Sequence, residues 1–196
     1  MIQPDNIVYK QIEDYIKREI VVDESELKTI LSFFKPLQPK KNEILVTHGQ
    51  TSQRMFFVGK GCLRIFFINE EGLDSTRYLA FEDSFATALV SFITEEPSFE
   101  FIQALEETEL LYINQKDFYH LTAIIPAWEK FYRHYLEMAY ITNTKRLMSF
   151  ITMDAKERYK LLLNQNPAYV QRLPNKMVAS YLNISQETLS RLKSKI

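Results

Sequence analysis

The sequence predicts an α+β fold: a small β-barrel or jelly roll, then a long central helix, then a helix-turn-helix of winged-helix-like type whose wing is short or absent. Three observations lead to it. From Leu37 to about Phe118 the chain consists of short β-branched and aromatic runs separated by turn residues, and all four glycines fall there. From about Pro126 to Ile151 a helical period runs unbroken. From Leu173 to Ile196 two short helical patterns flank one turn residue, Asn183.

Residues from about Asp5 to Phe34 read as two packing helices. Ile7, Ile12, Tyr15 and Ile16 recur at helical spacing, and Asp23 with Glu26 can form a capping box for the segment Glu24–Phe34. The strand-like runs are Ile44–Val46, Met55–Val58, Leu63–Ile68, Thr76–Phe81, Phe101–Leu105 and Leu110–Ile113. Gly49, Gly59, Gly61 and Gly72 are each expected in turns between such runs, and Asn69-Glu70-Glu71-Gly72 has hairpin-turn chemistry. Short strands in this arrangement suggest a small antiparallel barrel or jelly roll, filled by its own Phe and Tyr side chains or holding one small ligand.

On the long helix Trp128, Phe131, Tyr132, Tyr135, Met138, Ala139 and Thr142 lie along one side, continued by Leu147, Phe150 and Ile151. Spacings of three and four suit a helix–helix seam, so this stripe is expected to form a two-fold dimer seam; the alternative is burial against the chain's own barrel. A further helix starts near Thr152–Glu157, where Asp154 and Glu157 are spaced as a cap pair and Thr152 is another candidate cap. Tyr159, Leu162 and Leu163 give it an apolar face, and Asn166-Pro167 is expected to end it. The division that follows is an effector-type domain with N-terminal helices at 1–125, a dimerisation helix at 126–152 and a helix-turn-helix domain at 153–196.

In the last of these, Pro174 can open a helix along which Met177, Val178, Tyr181 and Leu182 form an apolar stripe. Asn183 tolerates the left-handed backbone that ends it, and Ser185 is a good N-cap for the next helix, with Glu187 in the first turn. Ile184, Leu189 and Leu192 face inward; Gln186, Glu187, Ser190, Arg191 and Lys193 are left outside. Two helices so joined form the unit that places its second helix in a DNA major groove. Arg191 can pair with guanine, Gln186 with adenine and Glu187 with a cytosine amino group. The bland reading of the same residues is a helical hairpin with a solvated face.

Charge supports the sharper reading. From Lys145 onward ten Lys and Arg stand against three Asp and Glu, whereas the rest of the chain has fourteen against twenty-two. A basic quarter on an acidic body suggests that this quarter meets a polyanion. No run reaches the length of a membrane span, and the stretch MIQPDNIVYKQ has no secretory pattern. The single cysteine, Cys62, excludes an internal disulfide framework, and His48, His120 and His134 lack metal-ligand spacing. A cytoplasmic protein without a metal or other cofactor is the simplest expectation.

Taken together the chain resembles the cyclic-AMP-receptor/FNR (Crp/Fnr) family of bacterial transcription regulators. The resemblance rests on the barrel glycines Gly49, Gly61 and Gly72, the long helix, and above all Val178–Leu192, with a small residue at Ala179, a turn at Asn183 and the core Ser185, Glu187, Thr188 and Arg191. It implies an N-terminal cyclic-nucleotide-binding-like domain and a homodimer on double-stranded palindromic DNA, with RNA polymerase as a further partner. It also implies that Gln186, Glu187 and Arg191 face bases while Ser185, Thr188 and Lys193 hold phosphates; Ser190 is a further candidate on the exposed face, and Lys176 one for backbone contacts. Members that bind cyclic nucleotides carry a Phe-x-Gly-Glu stretch and an Arg-Ser/Thr-Ala stretch. Here these are Phe85-Ala86-Thr87-Ala88 and Ser98-Phe99-Glu100, so the glycine, the ribose carboxylate and the phosphate arginine are all replaced. A buried phosphate beside Glu100 would be repelled, so an effector other than cyclic AMP, or none, is expected. Thr87, Ser91, Ser98 and Glu100 are the candidate pocket residues. Family members follow the reading helix with a β-hairpin wing; here only Ser194, Lys195 and Ile196 follow it.

Two other functions compete. One is a ligand-sensing module whose C-terminal helices dock a protein partner instead of DNA. The other is an enzyme, which the sequence does not favour: Glu95-Glu96 and Glu106-Glu107 are neighbouring carboxylates that point apart in a strand and are solvated in a loop.

Overall fold

The computed structural model describes residues 7–195; the expected helix start at Asp5 and the terminal Ile196 lie outside them. Contacts divide the chain into two compact units. One is the chain up to Phe67 together with Tyr78–Tyr135; the other is Ile68–Arg77 together with the chain from Leu136 onward. The division falls inside the long helix.

The first unit opens with α1 (Ile7–Glu19) and α2 (Glu24–Ser32). Asp23 caps α2 as its spacing predicts: its side chain accepts from the Glu26 amide, and the Glu26 carboxylate accepts from the Asp23 amide. Eight strands follow: β1 (Lys35–Leu37), β2 (Ile44–Val46), β3 (Arg54–Lys60), β4 (Leu63–Ile68), β5 (Asp74–Ala80), β6 (Ser84–Ala86), β7 (Phe101–Ala104) and β8 (Glu109–Asn114). They form two four-stranded sheets, ordered β1-β8-β3-β6 and β2-β7-β4-β5. The double-sheet jelly roll is the result, and β1 and β6, three residues each, are additions to the expected strands. Two short helices, α3 (Leu89–Thr94) and α4 (Gln115–Ile124), complete the unit before the long α5 (Pro126–Thr152).

Strand β3 explains the layering. Its run Met55-Phe56-Phe57-Val58 is apolar on both faces because both faces are covered. Phe56 and Val58 point into the sandwich, where they meet Leu63, Ile65, Ile102, Ala104 and Leu110. Met55 and Phe57 point the other way, into a second core with Ile12 and Ile16 of α1, Ile30 of α2, Phe118 of α4 and Trp128 and Phe131 of α5. Rings dominate that layer: Tyr15 meets Phe57, Phe85 and Phe131 edge-on, and Trp128 stacks on Phe131 at 4.5 Å between centroids.

Two expectations need correction here. Trp128 and Phe131 are 0% and 2% exposed and belong to the unit's own core, so they cannot serve a seam with another chain. Gly59 is not in a turn but inside β3 with ordinary backbone; a Cβ there would lie 2.2 Å from Val8 Cγ1, so the residue is small because α1 lies directly against the strand. Gly61, by contrast, does turn the chain, at φ +99°.

The second unit holds the hairpin tip, the later part of α5, and four helices: α6 (Ala155–Gln165), α7 (Pro167–Arg172), α8 (Asn175–Leu182) and α9 (Gln186–Lys193). Asn69 makes the tip: its side-chain oxygen accepts from the amides of Glu71 and Leu73. Asp154, and not Thr152, caps α6, with Glu157 completing the box. Pro167 starts α7 as its first residue and does not merely end α6. The small core is Tyr159, Leu162, Leu173, Val178, Ala179, Leu182 and Leu189, all buried.

Gly59→Ala is expected to lower stability in urea by about 1–3 kcal/mol through overpacking. Val8→Ala added to it should restore part of the loss, and an unchanged midpoint for the single variant would show that α1 is free to move away.

Candidate functional site

The helix-turn-helix is built around a short turn. Asn183 ends α8 in the left-handed conformation at φ 52°, its amide donating to Ser180 and the next amide, Ile184, donating to Ala179 O at 3.0 Å. Ala179 is buried beneath it. Ser185 then caps α9: its hydroxyl oxygen accepts from the Thr188 amide at 3.1 Å and donates to Thr188 Oγ1 at 3.0 Å. Leu189 is the fully buried anchor of the helix, with Ile184 and Leu192 half-buried beside it.

The opposite edge of α9 is open. Gln186, Glu187, Ser190, Arg191 and Lys193 are exposed, Thr188 is half-buried, and Lys176 at the start of α8 is exposed. Arg191 Nη2 donates to Thr188 Oγ1 at 3.3 Å, which lays the guanidinium along the helix surface. Lys193 Nζ donates to Asn175 Oδ1 at 2.6 Å, joining the end of α9 to the start of α8. The structure thus brings the eight sequence-predicted reading residues onto one helix pair, and gives Ser185 and Lys193 structural partners as well.

The four candidate pocket residues are placed differently. Thr87, Ser91, Ser98 and Glu100 are all buried. Thr87 Oγ1 donates to Arg54 O at 2.9 Å and lies 3.3 Å from Ser52 Oγ. Ser91 Oγ accepts from the Ser52 amide at 2.9 Å and donates to Glu96 O. Ser98 Oγ accepts from the Glu100 amide and donates to the Glu100 carbonyl, both at 3.0 Å. These hydroxyls fasten the loops around α3 to one another. Ala88, at the position of the ribose carboxylate in the resemblance, is buried as well. Sequence reasoning passed over a second buried charge in this unit, Arg64, which is 2% exposed and lies over the Phe66 ring at 4.2 Å. Its signal was a lone Arg inside the apolar run Leu63–Ile68.

Of the expected seam residues beyond Trp128 and Phe131, Tyr132 and Tyr135 are half-buried against the first unit's core, and the Tyr132 hydroxyl lies 3.1 Å from that of Tyr119. Burial, reinforced by this hydrogen bond, pushes the Tyr132 pKa up. Ala139 is half-buried, and Met138 and Thr142 are exposed. The larger apolar surface is on the other side of α5. Tyr140, Ile141, Leu147, Met148 and Ile151 are all exposed, with exposed Thr144 among them, and their spacing puts them within roughly 120° of one helix face. The side facing the second unit carries Arg146 and Phe150 instead. Arg146 is half-buried between the Tyr181 ring at 3.9 Å and the Phe150 ring at 4.8 Å, and donates to Thr76 O at 2.8 Å and Tyr181 O at 2.6 Å. Desolvation pulls its pKa below the ordinary arginine value.

Among the described residues no group of three or more His, Cys, Asp and Glu side chains is placed to hold a metal, and no helix is long and apolar enough to cross a membrane.

The geometry defines a class: a cyclic-nucleotide-binding-type sandwich followed by a long helix and a helix-turn-helix. Residues 36–124 match the family model of the cyclic nucleotide-binding domain. Over most of its length the chain shares the fold of solved Crp/Fnr regulators. It is similar to the c-di-GMP-responsive global regulator CLP of Xanthomonas campestris, with TM-score 0.70 and 15% identity over 88% of this chain and 91% of that one. A transcriptional regulator of the Crp/Fnr family from Eubacterium rectale gives TM-score 0.68 and 17% identity, covering 87% and 82%. A CooA mutant from Carboxydothermus hydrogenoformans gives 0.67 and 20%, covering 85% and 77%. No curated protein sequence matches the chain.

Proposed function

We propose that the chain is a DNA-binding transcription regulator of the Crp/Fnr type, acting as a homodimer on a palindromic operator. One observation carries the reading: α9 is anchored by buried Leu189 while Gln186, Glu187, Ser190 and Arg191 form its exposed edge. That edge offers a bidentate donor for guanine, an amide for adenine and a carboxylate for cytosine, with Lys176, Ser185, Thr188 and Lys193 at its margins for phosphates. The basic surplus from Lys145 onward supplies the attraction to the polyanion.

The division of labour is an effector-type domain at 1–125, a dimerisation helix at 126–152 and a DNA-binding domain at 153–196. The seam runs along Tyr140, Ile141, Thr144, Leu147, Met148 and Ile151, because an exposed apolar face of this size on one helix needs a partner, and a second copy offers the same face. Two copies double the phosphate and base contacts and fix the half-site spacing. An effector other than cyclic AMP, or none, is expected: the hydroxyls of Thr87, Ser91 and Ser98 are engaged with the protein itself, and Ala88 stands where the resemblance places the ribose carboxylate. The buried, lone Cys62 suits a reducing cytoplasm, and RNA polymerase is the expected further partner.

Selection of bound sequences from random duplex DNA is expected to return a palindrome. Arg191→Ala should weaken binding to it by roughly 1–3 kcal/mol, and raising salt should weaken the wild type by orders of magnitude. A weak, salt-insensitive, sequence-indifferent interaction would favour a protein partner for these helices. The double variant Leu147→Glu/Ile151→Glu is expected to sediment as a monomer where the wild type sediments as a dimer; a dimer that survives it would place the seam elsewhere.

A further inference from the structure

The exposed edge of α9 carries two opposite charges that do not meet. Glu187 and Arg191 are both exposed and stand four residues apart, about 40° round the helix. Glu before Arg at this spacing is the order that favours an ion pair. A helical side chain leans toward the N-terminus, so the Arg191 guanidinium passes over the turn that holds both Glu187 and Thr188. It donates from Nη2 to Thr188 Oγ1 at 3.3 Å, and the Glu187 carboxylate has no hydrogen-bond or ion-pair partner among the described residues.

Thr188 suits this task because its own hydroxyl is fixed. Ser185, the N-cap, donates to Thr188 Oγ1 at 3.0 Å and accepts from the Thr188 amide at 3.1 Å. The branched Cβ restricts χ1 further, and Thr188 is half-buried where Arg191 is exposed. With donors from Ser185 and Arg191 the Thr188 oxygen has used both lone pairs, and its proton is left for a group outside the helix. Cap, threonine and arginine thus form one short chain of bonds on the side of α9 away from Glu187. Without that chain, an Arg191 paired with Glu187 would have to give up the pair before either group reached a base, and the preference of one reader would depend on the other.

We propose that Thr188 is a positioning residue for base reading: its hydroxyl oxygen, set by the Ser185 cap, holds the Arg191 guanidinium apart from Glu187, so that both charged readers meet the duplex unpaired. The consequence for base choice rests on the DNA-binding reading; the hold on Arg191 in the free protein does not. The role goes beyond a phosphate contact. A hydroxyl that only touches phosphate adds the same affinity to every sequence, whereas one that orients an arginine acts on the single base pair the arginine reads.

The test uses the full chain and the duplex recovered by selection, with each base pair of the half-sites replaced in turn. Thr188→Val keeps the branched shape and removes the acceptor; Thr188→Ser keeps the acceptor. Both retain the backbone bond from the amide at position 188 to Ser185 Oγ, so α9 stays capped. Arg191→Ala first identifies the base pair that Arg191 reads. Discrimination at that pair, a ratio of affinities and so blind to phosphate contacts, is expected to fall about fivefold in Thr188→Val and to stay near wild type in Thr188→Ser. Added to Arg191→Ala, Thr188→Val should change discrimination no further. A loss equal at every base pair, and of the same size with Arg191→Ala, would overturn the proposal. Nitrogen relaxation of the Arg191 Nε–Hε group reads the hold without DNA, in a Glu187→Gln background where no ion pair can replace it. The guanidinium is expected to be ordered there and mobile once Thr188→Val is added; equal mobility in the two would overturn the hold. If the wild type selects no duplex, the DNA reading fails, and the relaxation data alone decide whether Thr188 holds Arg191.

Discussion

A helix of 27 residues cannot bury all its apolar side chains when protein covers only one side of it, and α5 is that helix. Its first turns are consumed: Trp128 and Phe131 complete the aromatic layer between the first sheet and α1, α2 and α4. Its later turns give one side to Arg146 and Phe150, packed within the second unit, and leave Tyr140, Ile141, Leu147, Met148 and Ile151 outward. Water against five large apolar side chains is the unfavourable term to be removed, at about 25 cal/mol per Å² of apolar surface. The proposed dimer, its half-site spacing and the use of one reading helix per copy all follow from how that term is met.

The two ends of the chain contrast in how their polar groups are used. Around α3 the serine and threonine hydroxyls turn inward and are spent on backbone partners, Thr87 on Arg54 O and Ser91 on Glu96 O. On α9 the polar groups turn outward around a buried Leu189, and Ser185 is spent only on the cap. The first arrangement stabilises loops; the second leaves donors and acceptors at the surface. Within the second unit, Ser180 joins a hydrogen-bonded hairpin to the last turn of α8.

Local chemistry was the most legible part of the sequence. The capping boxes at Asp23 and Asp154, the N-cap Ser185 and the Asn69 turn are decided by side chains that bond to backbone within a few residues, and Asn183 ends α8 because its residue type tolerates the left-handed backbone. Six strands, the three-residue β2 among them, were readable from β-branched and aromatic runs, whereas β1 and β6 carry no such run and are held by pairing with β8 and β3. The seam stripe was misread because a bulky row such as Trp128, Phe131, Tyr132 and Tyr135 looks the same whether another helix or the chain's own core covers it. Gly59 was misread for a similar reason: its neighbour Val8 is distant in sequence. Arg146 and Ser180 gave no signal, since each acts through carbonyls and hydroxyls that only the tertiary fold brings near.

The central claim is that two outward reading helices meet one duplex. Protection of guanine N7 from methylation on the duplex recovered by selection reads this directly. The account predicts two protected clusters, one per half-site, centred about ten base pairs or a multiple of that apart on one face of the duplex. A single protected cluster, or guanines methylated equally with and without protein, would contradict it.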